Sequence, residues 1–165
     1  MISLPQTRAV LVRKMMEEDI TPVMLIDQAS FSLPWSERSY RFDLLENKAA
    51  RLWVAETHAD GGVSEIIGMV VLWIIVDEAH IGTLAVHPSY RRQGIGRKIL
   101  ERALADAETH GVLSATLEVR RSNQAACQMY AAMGFEIVGV RPRYYKDNDE
   151  DALLMTAELT QISLF

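Results

Sequence analysis

Apolar residues in this chain alternate, recur every three or four places, or run unbroken, and each habit predicts a different element. Ala9, Val10, Leu11 and Val12 predict a first strand over 7–14. Over 19–29, Ile20, Val23, Met24 and Ile26 recur at helical spacing. Pro34-Trp35 breaks the chain, and Ser36 is placed to cap a second helix reaching Glu46, with Glu37 favourable near its positive end. Residues 51–57 read as a strand, and 58–64, with Asp60-Gly61-Gly62, as a turn. The longest apolar run, 66–76, is far short of the roughly 20 residues a membrane helix needs. It reads as a buried strand over 65–76, followed after Asp77-Glu78 by another over 79–86.

A loop over 87–93, opened by Pro88, leads into the strongest helical pattern, 94–110. Its stripe is Ile95, Ile99, Leu100, Ala103, Leu104 and Ala107, and Gly111 sits where a C-terminal cap belongs. Over 113–119, Leu113, Ala115, Leu117 and Val119 face one way and Ser114, Thr116 and Glu118 the other. A short helix over 123–133, ended by Gly134, precedes strands over 135–140 and 152–158. The order is a strand, two helices, three strands, helix, strand, helix, two strands. That is a mixed α/β sheet rather than strict βαβ alternation.

At 165 residues the chain fits one domain. With 49% apolar and 24% charged residues it has the composition of a soluble globular protein. A formal charge of −5 argues against a broadly basic face for nucleic acid. The single cysteine, Cys127, excludes an internal disulfide and suits a reducing cytoplasm. Residues 1–13 lack the apolar run of a signal peptide. Charge is uneven: Arg91, Arg92, Arg97 and Lys98 cluster, and Asp147, Asp149, Glu150 and Asp151 form an acidic stretch. The first suits an anionic ligand and the second a cationic one, unless both are simply solvated surface.

The most informative segment is Arg91-Arg92-Gln93-Gly94-Ile95-Gly96-Arg97, between a strand and an amphipathic helix. The first N–H groups of a helix lack internal partners and carry the positive end of its dipole. Gly94 and Gly96 let a phosphate approach the main chain, and Arg92 and Arg97 add charge. The segment lacks the Lys-Ser/Thr of a P-loop, and Ile99 replaces the third glycine of a dinucleotide fingerprint. Downstream, Glu118 reads either as a base for an amine or as a salt-bridge partner of Arg120 or Arg121. Tyr130, among Ala126, Met129 and Met133, reads either as core or as a proton donor to a thiolate. Asn123 either caps its helix or binds the cofactor. Cys127 lies among Ala125, Ala126 and Met129, where packing competes with a role as acyl carrier. His58, His80, His87 and His110 have no metal spacing, and there is no Gly-x-Ser-x-Gly of a hydrolase.

The segment Arg91-Arg92-Gln93-Gly94-Ile95-Gly96 resembles the cofactor loop of the GNAT superfamily of acetyltransferases. Ser32-Leu33-Pro34-Trp35-Ser36, Leu84-Ala85-Val86, Leu117-Glu118-Val119-Arg120, Ser122-Asn123, Met129–Phe135 and Arg143-Tyr144-Tyr145 resemble its RimI group, over roughly residues 12–158. That group acetylates the N-terminal alanine of a small-subunit ribosomal protein. The resemblance implies a single GNAT domain over 1–165, core about 7–159, with a mostly antiparallel sheet flanked by helices. It implies acetyl-CoA as co-substrate and no metal. Leu84, Ala85 and Val86 would meet the acetyl and pantetheine parts, and Arg92, Gln93, Gly94, Ile95, Gly96 and Arg97 the pyrophosphate, with Asn123 also on the cofactor. Glu118 would be the base and Tyr130 the acid. Trp35, Tyr144 and Tyr145 would shape the peptide entrance.

These residues lead us to expect direct transfer in a ternary complex. The nucleophile must be neutral: at pH 7 this costs roughly 1 kcal/mol for an α-amine and roughly 4–5 for lysine, which favours an N-terminal acceptor. The rival readings are an acetyltransferase for a small amine or another terminus, and a module that binds acyl-CoA without turnover.

Overall fold

The computed structural model describes residues 8–58 and 62–162. Thr7 of the first predicted strand, and Asp60 and Gly61 of the turn, lie outside them. The strands are β1 (Val10–Lys14), β2 (Ala50–His58), β3 (Ser64–Ile75), β4 (Glu78–Val86), β5 (Ser114–Arg120), β6 (Glu136–Tyr145) and β7 (Glu150–Glu158). The helices are α1 (Ile20–Ser30), α2 (Glu37–Leu45), α3 (Ile95–Thr109) and α4 (Gln124–Met133). One sheet runs β1-β2-β3-β4-β5-β7-β6. Every pairing is antiparallel except β4 with β5. The mixed, mostly antiparallel sheet anticipated from the sequence is the observed one.

The sheet separates two cores. Along β3, Ile67, Val70 and Leu72 join the core under α3 and α4, whereas Met69 and Val71 join the core under α1 and α2. A strand buried on both faces needs apolar residues without alternation, hence the run over 66–76. The α3 stripe, Ile95, Ile99, Leu100, Ala103, Leu104 and Ala107, is buried as its spacing predicts. On the other face, buried Asp27 of α1 accepts the Trp35 amide at 2.9 Å and the Tyr40 hydroxyl at 2.7 Å, fixing the break at Pro34-Trp35. The Ser36 side chain caps α2 through the Ser39 amide.

Three element boundaries differ from the predicted ones. Strand β6 runs on to Tyr145, past the predicted end at 140, so Tyr144 and Tyr145 lie on a strand. It can do so because it is an edge strand, where the missing N–H of Pro142 costs no ladder bond. Leu113 is 59% exposed, because β5 begins one residue later and only Ala115, Leu117 and Val119 enter the core. The acidic stretch is partly strand: Glu150 and Asp151 open β7.

Strand β4 carries one extra residue. Val71 faces Thr83 and Leu72 faces Ile81, leaving Gly82 as a bulge. A Cβ at Gly82 would lie 2.6 Å from the Trp73 ring. That ring cannot easily yield: it stacks on Trp35 at 5.6 Å, and its indole N–H donates to Asp43 at 2.9 Å. We therefore expect Gly82→Ala to destabilise the fold by about 1–3 kcal/mol, the usual cost of overpacking, read as a lower urea midpoint at constant slope.

Candidate active site

The parallel pairing of β4 and β5 stops at Ile81–Leu117, although β4 continues to Val86 and β5 to Arg120. Beyond that point the two strands part. On the β4 side, the His87 amide donates to the Ile67 carbonyl at 2.8 Å, with Val86 facing Gly68 and Ala85 facing Met69. Antiparallel alternation then directs the main-chain groups of Ala85 towards β3, and those of Leu84 and Val86 into the opening. The Val86 carbonyl is taken by Arg91 Nε at 3.0 Å, and Arg91 also reaches Ser30 of α1. Among the described residues the Leu84 groups and the Val86 N–H have no main-chain partner on that side.

A cavity of about 790 Å³ lies along this opening, lined among others by Leu84, Ala85, Val86, Arg92, Gly94 and Tyr130. Ile95, Gly96, Arg97 and Asn123 line it too, whereas Gln93, Glu118, Trp35, Tyr144 and Tyr145 do not. At its floor the chain turns into α3. Gly94 has φ of +77°, a conformation that favours glycine, and Arg92 is also left-handed at +62°. Such alternation curls successive amides into a concave nest. Among the described residues nothing accepts the N–H groups of 92–97, while the first helical bond from this turn is Lys98 to the Gly94 carbonyl at 3.1 Å. The cradle is thus a row of free donors at a helix N-terminus, with Arg92 exposed beside it. Arg97 is engaged by Glu101 at 2.7 Å, and Lys98 turns away to the Val10 carbonyl.

Tyr130 and Glu118 come from opposite sides. Tyr130 belongs to the α3/α4 core, 6% exposed, with its ring edge-on to Phe135 at 5.6 Å. Burial pushes its hydroxyl well above the usual tyrosine range, with the charges of Tyr145 and Cys127 adding to the shift. The residue is core on one side and cavity wall on the other. Asn123 does the same: its side chain caps α4 through the Ala126 amide at 3.2 Å while the residue lines the cavity.

Glu118 is the first residue of β5 past the last parallel pair. Since Leu117 and Val119 point into the α3/α4 core, Glu118 points to the α1/α2 face. Its partners are not the neighbouring arginines. His80 Nε2 lies 2.7 Å from Oε2, and Arg141 Nε 3.2 Å from Oε1. Arg120 instead binds Asp147 at 2.8 Å and Glu150 at 3.3 Å, with its guanidinium 4.0 Å from the Tyr145 ring centre. Arg121 pairs with Asp151 at 3.7 Å. The acidic stretch is therefore largely engaged by the chain itself, and hydrogen bonds from Ser122 hold the Glu150 carboxyl down at about 2. Asp147 also accepts Ser32 at 2.5 Å, joining the segment after α1 to the β6–β7 turn.

Of the residues anticipated at the acceptor side, Trp35 stacks on Trp73 and tilts against Tyr40 at 5.4 Å. Tyr144 is 44% exposed and meets Tyr145 edge-on. Tyr145 is half-buried, and burial pushes its hydroxyl up to about 12; both Glu118 and Tyr130 are near enough for electrostatic coupling to it. The sequence reading missed His80, Trp73 and Arg141. The trace available for His80 was a polar residue between the core positions Ala79 and Ile81. Cys127 is half-buried, burial raises its thiol, and its sulfur lies 3.8 Å from the Arg120 carbonyl, which makes it a poor nucleophile. Among the described residues there is no cluster suited to a metal ion and no helix long and apolar enough to cross a membrane.

The sheet is thus open between two parallel strands, with free amides of the α3 turn on one side and the Glu118 carboxylate on the other. The chain belongs to the acetyltransferase (GNAT) family, which matches residues 20–135. A relative from Bacillus subtilis (strain 168), provisionally named a ribosomal protein bS18-alanine N-acetyltransferase, is 37% identical over 150 residues, covering 91% of this chain and 96% of its own. The crystal structure of the ribosomal-protein-S18-alanine N-acetyltransferase from Escherichia coli superposes with a TM-score of 0.80 at 29% identity, covering 92% of this chain and 94% of that one. A chain of the NatC complex bound to Gag peptide and CoA gives 0.79 at 26% identity, covering 90% and 98%.

Proposed function

We propose that this chain transfers the acetyl group of acetyl-CoA to the α-amine of a protein N-terminus, the N-terminal alanine of a small-subunit ribosomal protein, as a single catalytic domain acting in the cytoplasm. The observation that carries the proposal is the split between β4 and β5, with the 92–97 amides on one side and Glu118 on the other. The relatives that act on ribosomal protein S18 alanine, and the neighbour that binds CoA and a peptide, support the same reading.

The free amides and Arg92 fit a diphosphate, and the exposed main-chain edge at Leu84 and Val86 fits an amide-rich pantetheine arm. Bound there, acetyl-CoA supplies an activated thioester. The chain contributes the rest by direct transfer. Glu118 takes a proton from the acceptor ammonium, directly or through water. The Val86 N–H faces the carbonyl oxygen as it gains negative charge. Tyr130, kept neutral by burial, holds a proton for the departing sulfur. Trp35, Tyr144 and Tyr145 border the acceptor's approach on the α1/α2 face. A small polycation as acceptor is disfavoured, because Asp147, Glu150 and Asp151 already have partners.

The test is to incubate the purified chain with acetyl-CoA and alanine-start ribosomal peptides, peptides with other first residues, and spermidine, following free thiol and product mass. Alanine-start peptides should react fastest. A polyamine that reacts while they stay inert would reject this acceptor, and thiol that never forms would reject catalysis.

A further inference from the structure

The two oxygens of Glu118 are held very differently. Oε1 faces Arg141, a 54% exposed side chain on the edge strand β6. Oε2 faces His80, which lies on β4 directly across from Thr116 of β5 and Trp73 of β3. The imidazole is braced: the Trp73 ring meets it edge-on at 5.7 Å and 77°, and Trp73 is itself fixed by Trp35 and Asp43. A carboxylate only accepts, so at 2.7 Å the bond requires a proton on His80 Nε2.

We infer that His80 is a positioning residue for the base: its Nε2–H pins Glu118 Oε2, so that Oε1, released when the exposed Arg141 gives way, is the oxygen that meets the acceptor ammonium. The inference rests on Glu118 being the base. Without His80 the carboxylate is free to rotate towards Arg141, which would satisfy both oxygens and withdraw them from the acceptor. Arg141 then stands in the free protein where the acceptor's cation will stand.

Two amide variants separate this role from mere packing. In H80Q the side-chain nitrogen reaches about as far as Nε2; in H80N it reaches only as far as Nδ1. With acetyl-CoA and an alanine-start peptide, H80N should lower kcat about tenfold, with the KM for acetyl-CoA and calorimetric CoA affinity unchanged, and H80Q should recover to within about threefold of the parent. Adding H80N to E118Q should cost less than about twofold more, because the group it positions is gone. If H80N fails to bind CoA, H80L replaces it with the same expectations. The inference is overturned by H80N staying within about twofold of the parent, by H80Q being as slow as H80N, or by the full penalty persisting in E118Q. An E118Q protein as fast as the parent would instead remove the base itself, whatever the His80 variants do.

Discussion

Glu118→Gln is expected to lower kcat for an alanine-start peptide by about 10²–10³-fold at pH 7, a typical general-base contribution, with CoA binding unchanged. The amide keeps the size of the carboxylate, and its carbonyl can still accept from His80, so the loss should report proton transfer rather than collapse of the site. The pH dependence supplies the sign. An α-amine titrates at about 7.7–8.0, so roughly a tenth of it is neutral at pH 7 and nearly all at pH 9. The variant, which depends on acceptor already neutral, should gain about tenfold over that interval relative to the parent. Matched rates at pH 7 and 9, measured by thiol release under saturating acetyl-CoA, would show this recovery. A deficit of equal size at both would assign Glu118 to structure alone.

Tyr130→Phe should lower kcat about 10–100-fold while leaving CoA affinity within about twofold. Among the described residues nothing hydrogen-bonds the Tyr130 hydroxyl, and the ring contact with Phe135 survives in phenylalanine. The stability change should therefore stay below about 1 kcal/mol in urea unfolding. Because burial raises the hydroxyl above its usual range, it is protonated at every pH where the enzyme would be assayed, and the parent's rate should show no alkaline limb from this group. An unchanged kcat would remove Tyr130 as the acid, and a loss of CoA affinity would make it a wall of the cavity only.

Much of the fold was legible because its signals are local. The α3 stripe, the two-sided burial of β3 and the Ser36 cap each depend on residues within a few places of one another. The cradle was legible for the same reason, since a glycine at a helix start carries its geometry with it. The surroundings of Glu118 were not. His80 reaches it only because β4 and β5 run parallel after a crossover through α3, and Arg141 only because β6 lies beyond β7. Ser32 and Asp147 meet across 115 positions. Neither composition nor period records such encounters. The extension of β6 through Pro142 was hidden likewise, because only the neighbour count of a strand decides whether proline is tolerated there.

The parting of β4 and β5 has an evolutionary corollary. In the proposed reaction, donor and acceptor are read by residues on opposite sides of a wall, one set from the α3 turn and α4, the other from the α1–α2 connection and the β6–β7 hairpin. Mutation in one set leaves the other's scaffold standing. On that proposal, a lineage exchanges the polypeptide it modifies by editing the hairpin and the first two helices, without renegotiating its hold on the nucleotide.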